Sequence, residues 1–260
     1  VSSKGLKAAS LHISGGSFSL DCADDALHSD TSMTVSGGSF VIRSGDDALH
    51  ADESLVVSGG TLDIADCYEG LEALTLAVSG GELRLCARDD GLNAAGGMDQ
   101  SGFGGPRGDD RFGGVPGGNS TGSIVISGGE LAITASGDGL DANGSIEITG
   151  GFTTVCGPSA GDTATLDYDT NAVIRGGSFL GTGGAGMAQT FSEATQGLLS
   201  LHVGQQSAGT EIIIQNEKGE SVLSWTPALP YAVVIVSSPE LAAGESYTIT
   251  VGGSSGSFSA

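Results

Sequence analysis

Through most of the chain, apolar residues recur in alternation around a repeated pair of glycines. Four positions before the first glycine of each pair stand Leu11, Met33, Leu55, Leu76, Ile124, Ile146 and Ala172. Two positions before it stand Ile13, Val35, Val57, Val78, Ile126, Ile148 and Ile174. Three positions after it come Phe18, Phe40, Leu62, Leu83, Leu131, Thr153 and Phe179, and two residues later Leu20, Ile42, Ile64, Leu85, Ile133, Val155 and Gly181. Alternation of this kind predicts strands packed on one face. A small residue followed by leucine, at Leu27, Leu49, Leu71, Leu92 and Leu140, supplies a third short apolar face in each period.

The glycine pairs begin at Gly15, Gly37, Gly59, Gly80, Gly128, Gly150 and Gly176, at intervals of 22, 22, 21, 48, 22 and 26 residues. A fixed period of this length decides architecture before secondary structure does. Three sides at roughly 3.3 Å per residue make one coil, and no coil can bury its own apolar face, so successive coils must stack. The pattern therefore predicts an all-β parallel β-helix, a solenoid of about seven rungs over residues 1–189, with a Gly-rich insertion at about 96–122 inside the long interval. A leucine-rich-repeat horseshoe has a similar period but needs a helix or its asparagine-containing consensus, and neither is present. From about Thr190 the period gives way to short alternating runs, Glu211 to Gln215, Ala232 to Val236 and Tyr247 to Val251. Residues 190–260 are expected to form a small antiparallel β cap that covers the open end of the solenoid.

Charge sharpens this picture. The chain carries 31 Asp and Glu against 9 Lys and Arg, a formal net charge of −22. That balance argues against nucleic acid and anionic membranes as partners and asks for cations. With 38% hydrophobic and 15% charged residues the chain is expected to fold rather than behave as a disordered acidic tail. Cys22, Cys67, Cys86 and Cys156 show no zinc-like spacing and are read as buried thiols. No stretch is long enough to span a bilayer and no export signal is visible. The expected state is a monomer.

The acids are ordered. The corner before each recurrent leucine reads Asp24-Asp25-Ala26-Leu27-His28, Asp46-Asp47-Ala48-Leu49-His50, Tyr68-Glu69-Gly70-Leu71-Glu72, Asp89-Asp90-Gly91-Leu92-Asn93 and Gly137-Asp138-Gly139-Leu140-Asp141. Two residues before each leucine stands an acid: Asp25, Asp47, Glu69, Asp90 and Asp138. In-register stacking sets these carboxylates about 5 Å apart, where like charges destabilise pairing. Clustered hard oxygen ligands suit Ca2+. Calcium is expected between successive corners, with Asp24, Asp46 and Asp89 as second carboxylates and Asp30 or Asp52 as further ligands. A second candidate cluster joins Asp138, Asp141 and Asn143 to Asp167 and Asp169. The plainer alternative is a solvated acidic edge. His28 and His50 share a column with Lys7, Glu72, Asn93 and Asp141 and are read as an exposed polar ladder, and Trp225 as a packing residue of the cap.

The run of motifs DDALHSD, DDALHAD, YEGLE, DDGLNAAGG before a Gly-rich insertion, SGDGLDANGSIEITGG, LDYD and SSPELAAGESYTITVGG resembles the bacterial family of cell-surface carbohydrate-binding parallel β-helix proteins first known from a cellulose-degrading clostridium. The resemblance covers nearly the whole chain. It implies a right-handed β-helix similar in fold to pectate lyases, with bound calcium, a secreted or cell-surface location, and affinity for plant cell-wall polysaccharide of the cellulose and acidic pectin type without lyase activity. The chain departs from that pattern at Tyr68 and Leu74, where flanking rungs hold Asp, and at the first rung, which has Lys4 and Lys7 and lacks the acidic pair.

Three classes of function fit these features. A non-catalytic binding module leads. A calcium-dependent lyase or a hydrolase needs a base beside the metal or a tuned carboxylate pair, and Arg43, Arg84, Arg88 and Arg175 do not cluster at the acidic corner. A structural spacer on the cell surface shares every feature except the bound sugar.

Overall fold

The computed structural model describes residues 3–94, 121–158, 163–242 and 244–259, and shows no helix among them. The first four rungs are long bent strands: β1 (Leu6–Cys22), β2 (Leu27–Ser44), β3 (Leu49–Cys67) and β4 (Leu71–Ala87). The next three divide into a short strand and a long one. These are β5 (Leu92–Ala94) with β6 (Gly122–Ala135), β7 (Leu140–Ala142) with β8 (Gly144–Cys156), and β9 (Leu166–Tyr168) with β10 (Asn171–Gly183). The long strands stack in parallel in the order β1-β2-β3-β4-β6-β8-β10, and the short ones continue the third face from β4 through β5, β7 and β9.

The register follows the apolar columns. Leu11 pairs with Met33, Met33 with Leu55 and Leu55 with Leu76, and the column runs on through Ile124 and Ile146 to Ala172. Leu27, Leu49, Leu71, Leu92 and Leu140 stack likewise, with Leu6 before them and Leu166 after them. A one-residue slip would turn a whole apolar set outward, so burial fixes the register. Phe18 and Phe40 stack with centroids 4.7 Å apart. At the bend the second glycine of each pair has positive φ, from 111° at Gly38 down to 73° at Gly177, a conformation that side chains resist. The expected insertion lies almost wholly outside the described residues, yet β4 pairs with β6 and Leu92 with Leu140, so the stack resumes in register beyond it.

The rest of the chain forms β11 (Glu193–Ala194), β12 (Gly197–Gln206), β13 (Ile212–Asn216), β14 (Ser221–Trp225), β15 (Tyr231–Ser238), β16 (Ser246–Val251) and β17 (Ser254–Ser259). β11 lies parallel on the early part of β10, while β15 lies antiparallel on its later part and carries β12. A separate antiparallel sheet runs β14-β13-β16-β17. Alternation divides β15 between two cores: Val233 and Ile235 join the solenoid interior, and Val234 and Val236 join the second core with Ile212, Ile214, Tyr247 and Ile249. Trp225 packs against this second core, as its sequence neighbours suggest.

The cysteines need one correction. Cys22, Cys67 and Cys156 are buried thiols, but Cys86 is exposed. It stands between the inward residues Leu85 and Ala87, and the strand period turns it outward.

Candidate metal centre

Two polar columns flank the leucine column at the corner. The first, two residues before the leucine, reads Lys4, Asp25, Asp47, Glu69, Asp90, Asp138 and Ala164. The second, one residue after it, reads Lys7, His28, His50, Glu72, Asn93, Asp141 and Asp167. The acids of the first column are not a solvated edge, since Asp25 is 0% exposed, Asp47 3%, Glu69 5% and Asp90 4%. Buried carboxylates need hydrogen bonds. Part of that need is met along the solenoid axis, where a carboxylate accepts from the backbone amide one rung further on. Asp47 N donates to Asp25 Oδ1 at 3.4 Å, Glu69 N to Asp47 Oδ1 at 3.3 Å, and Asp138 N to Asp90 Oδ1 at 2.5 Å. Ala164 N closes the series on Asp138 Oδ1.

In the first rungs Lys4 and members of the second column meet the acids. Lys4 Nζ lies 2.8 Å from Asp24 Oδ1 and 2.5 Å from Asp25 Oδ2. Burial works against the Lys4 charge, but its hydrogen bonds to Asp24 and Asp25 and their charges outweigh this and raise its pKa. His28 meets Asp25 Oδ2 through Nδ1 at 2.6 Å and Asp30 Oδ1 through Nε2 at 3.3 Å, and Lys7 also reaches Asp30 at 3.0 Å. His50 places Nδ1 2.5 Å from Glu72 Oε2 and 3.2 Å from Asp47 Oδ2, with Nε2 3.1 Å from Asp52 Oδ1. Burial opposes a charged ring at His50, yet its bonds to Asp47 and Glu72 prevail and push the pKa up to about 11. The two imidazoles stack with centroids 4.9 Å apart.

The histidines are therefore not the exposed ladder expected from sequence. His28 is 5% exposed and His50 0%. The step of three residues around the corner returns the second column onto the first, and carboxylates on both ring nitrogens hold each imidazole inside. One rung on, Asn93 Nδ2 donates to Glu69 Oε2 at 2.9 Å.

Further along the axis the columns change character. Lysine and histidine give way to Asn93, Asp141 and Asp167 beside Asp90 and Asp138. Asp90, Asp138 and Asp141 can each present an oxygen within 4.8 Å of the others. Burial first, then the charges of Asp138, Asp141 and Asp89, hold the Asp90 carboxyl well above the usual carboxylate range. Such a site takes up a cation or a proton. Gly137 gives it room, because a Cβ there would collide with the Asp89 and Asp90 carboxylate oxygens. Asp167 pairs with Asp141 in the ladder and accepts from Gln189 Nε2 at 2.5 Å. Asp89 is half-buried, and Asn143 and Asp169 are exposed. Asp24, Asp25 and Asp46 form another carboxylate group within 4.8 Å, and Asp47, His50 and Glu72 a mixed one. An all-oxygen donor set fits a hard ion such as Ca2+.

Three arginines are engaged elsewhere. Arg84 binds Glu82. Arg88 donates to the carbonyls of Cys67, Ser44 and Gly45, and Arg175 donates to Glu193. Sequence reasoning set His28, His50, Glu72 and Asn93 on an exposed ladder and Lys4 at a rung without the acidic pair, whereas the structure draws all five into the corner. His28 and His50 stand three residues after the acids they bond, but Lys4, Glu72 and Asn93 bond across rungs, contacts that no local spacing marks.

Comparison with known proteins places this geometry in a family. No curated protein and no solved structure matches the chain. The model of a family described as carbohydrate-binding domain-containing protein matches residues 1–48 and 48–221, which take in all the rungs and reach the start of β14. The chain belongs to this carbohydrate-binding domain-containing family.

Proposed function

We propose that the chain binds acidic, pectin-type polysaccharide outside the cell without cleaving it, and that calcium held at the acidic corner both stabilises the fold and bridges to the ligand. The carrying observation is the Asp90, Asp138 and Asp141 cluster, the part of the corner where carboxylates gather without lysine or histidine in either column. Calcium there is held by these three, with Asp89, Asn143, Asp167 and Asp169 close along the chain or the ladder. In the first rungs Lys4 already supplies the positive charge to Asp24 and Asp25, which makes the Asp24, Asp25 and Asp46 group the weaker calcium site. A protein of net charge −22 repels a polyuronate unless a surface cation supplies positive potential and open coordination positions. Cellulosic glycans are the second ligand class in this reading, residues 1–189 are the binding domain and 190–260 its cap, and the working unit is a monomer.

Affinity electrophoresis in gels of polygalacturonate and of a soluble neutral glucan, each with calcium and with chelator, tests the reading. Retardation by polygalacturonate in calcium alone, lost in Asp138→Asn/Asp141→Asn, is expected. Retardation indifferent to chelator or confined to the neutral glucan defeats the calcium bridge, and release of unsaturated sugar defeats the non-catalytic assignment.

A further inference from the structure

The mixed cluster two turns nearer the amino terminus has a different chemistry from the carboxylate cluster. His50 is 0% exposed and Asp47 3%, while the Glu72 side chain is 18% exposed and offers a path to solvent. Two carboxylates from successive rungs, Asp47 and Glu72, converge on one nitrogen, His50 Nδ1, at 3.2 and 2.5 Å. The opposite nitrogen, Nε2, donates to Asp52 Oδ1 at 3.1 Å. A carboxylate on the far nitrogen of an imidazole fixes the tautomer and raises the basicity of the near one, the arrangement that supports histidine as a metal ligand. One proton on Nδ1 bonds two carboxylates unequally, whereas an ion in its place bonds all three donors.

At the neighbouring corner a buried acid of the first column is met by a cation from the preceding rung. There Lys4 places its ammonium on Asp24 and Asp25 beside His28. At the His50 corner the next member of the second column is Glu72, where the His28 corner has His50. Donors around a tetrahedral ion with bonds of about 2.0–2.2 Å stand roughly 3.3–3.6 Å apart. The three atoms here lie at 2.5 and 3.2 Å and within 4.8 Å, so a small outward shift of Glu72 makes the space.

We propose that Asp47, His50 and Glu72 form a transition-metal site, distinct from the calcium site, that takes a divalent ion of the Zn2+ or Co2+ class between two rungs. The ion replaces the proton on His50 Nδ1, and that proton leaves to solvent. An imidazole with two carboxylates favours such ions over Ca2+, which prefers an all-oxygen shell. Asp52 is a positioning residue.

Co2+ is the probe, titrated into the full chain in excess Ca2+ and followed by its visible d–d absorption. One equivalent is expected to bind, with no sulfur-to-cobalt charge-transfer band. Glu72→Gln and His50→Gln should abolish the signal, Asp52→Asn should weaken binding roughly 10–100-fold, and Asp141→Asn should leave it unchanged. Glu72 is partly exposed, so its variant tests the site even where replacing buried His50 unfolds the chain. Absence of the signal, its persistence in Glu72→Gln, a thiolate band, or displacement of Co2+ by Ca2+ each overturns the proposal. Retardation by polygalacturonate in calcium should persist in Glu72→Gln, so failure here and failure of the calcium bridge are read separately.

Discussion

Lys4 opens a column whose next five members are acids, and it carries the charge that lets the first of them be buried. Asp25 is wholly inaccessible, and removing one partner of a buried ion pair leaves the other charge without compensation. Lys4→Met is expected to lower stability by about 3 kcal/mol in urea unfolding at pH 7. Lys4→Met/Asp25→Asn should recover part of the loss, because the stranded charge goes with it. The pH dependence has a definite sign. The pKa of Lys4 is raised on folding, so its contribution is complete below the ordinary lysine value of 10.5 and fades as pH climbs through the higher folded value. The difference between wild type and variant should therefore be flat across neutral pH and shrink only in strong alkali. A loss below 1 kcal/mol at pH 7 would overturn this role for Lys4.

At the scale of the element, each rung's register is independent of what links it to the next. β4 and β6 pair from Thr75–Ser123 to Ala87–Ala135 although the chain between them includes the whole insertion. Replacing residues 97–118 with a short Gly-Ser linker is accordingly expected to leave the far-ultraviolet circular dichroism unchanged and the melting temperature within a few degrees. Loss of cooperative melting would mean that the segment packs on the rungs. The stacking itself was legible in sequence, because alternation and period together leave a single register that buries Ile13, Val35, Val57 and Val78 in one line. Cys86 was equally legible and was misread by composition, since its place after Leu85 already turned it outward. The pairing of His50 with Asp47 and Glu72 was not. It depends on how sharply the chain bends between the two columns and on which rotamers burial selects, and neither leaves a period in the sequence.

For the whole molecule, metal is expected to act as a ligand of the folded state alone, stabilising it by about 2.7 kcal/mol at a hundredfold excess over the dissociation constant. In a chain of this size that corresponds to roughly 5–10 °C, so differential scanning calorimetry with and without chelator should show a drop of that order. No drop, with elemental analysis of the untreated protein finding no calcium, would sink the calcium reading. The placement of β15 has a further consequence, one that concerns birth rather than equilibrium. β10 ends at Gly183 and the strand that covers its later part begins at Tyr231. Rungs can stack one by one as the nascent polypeptide emerges, but the edge at Phe179 to Gly183 waits for about 50 more residues, a few seconds at ordinary elongation rates. For that interval the growing chain presents a ready template for strand addition. A ribosome stalled between Gly183 and Tyr231 should hold the most aggregation-prone form this protein ever takes.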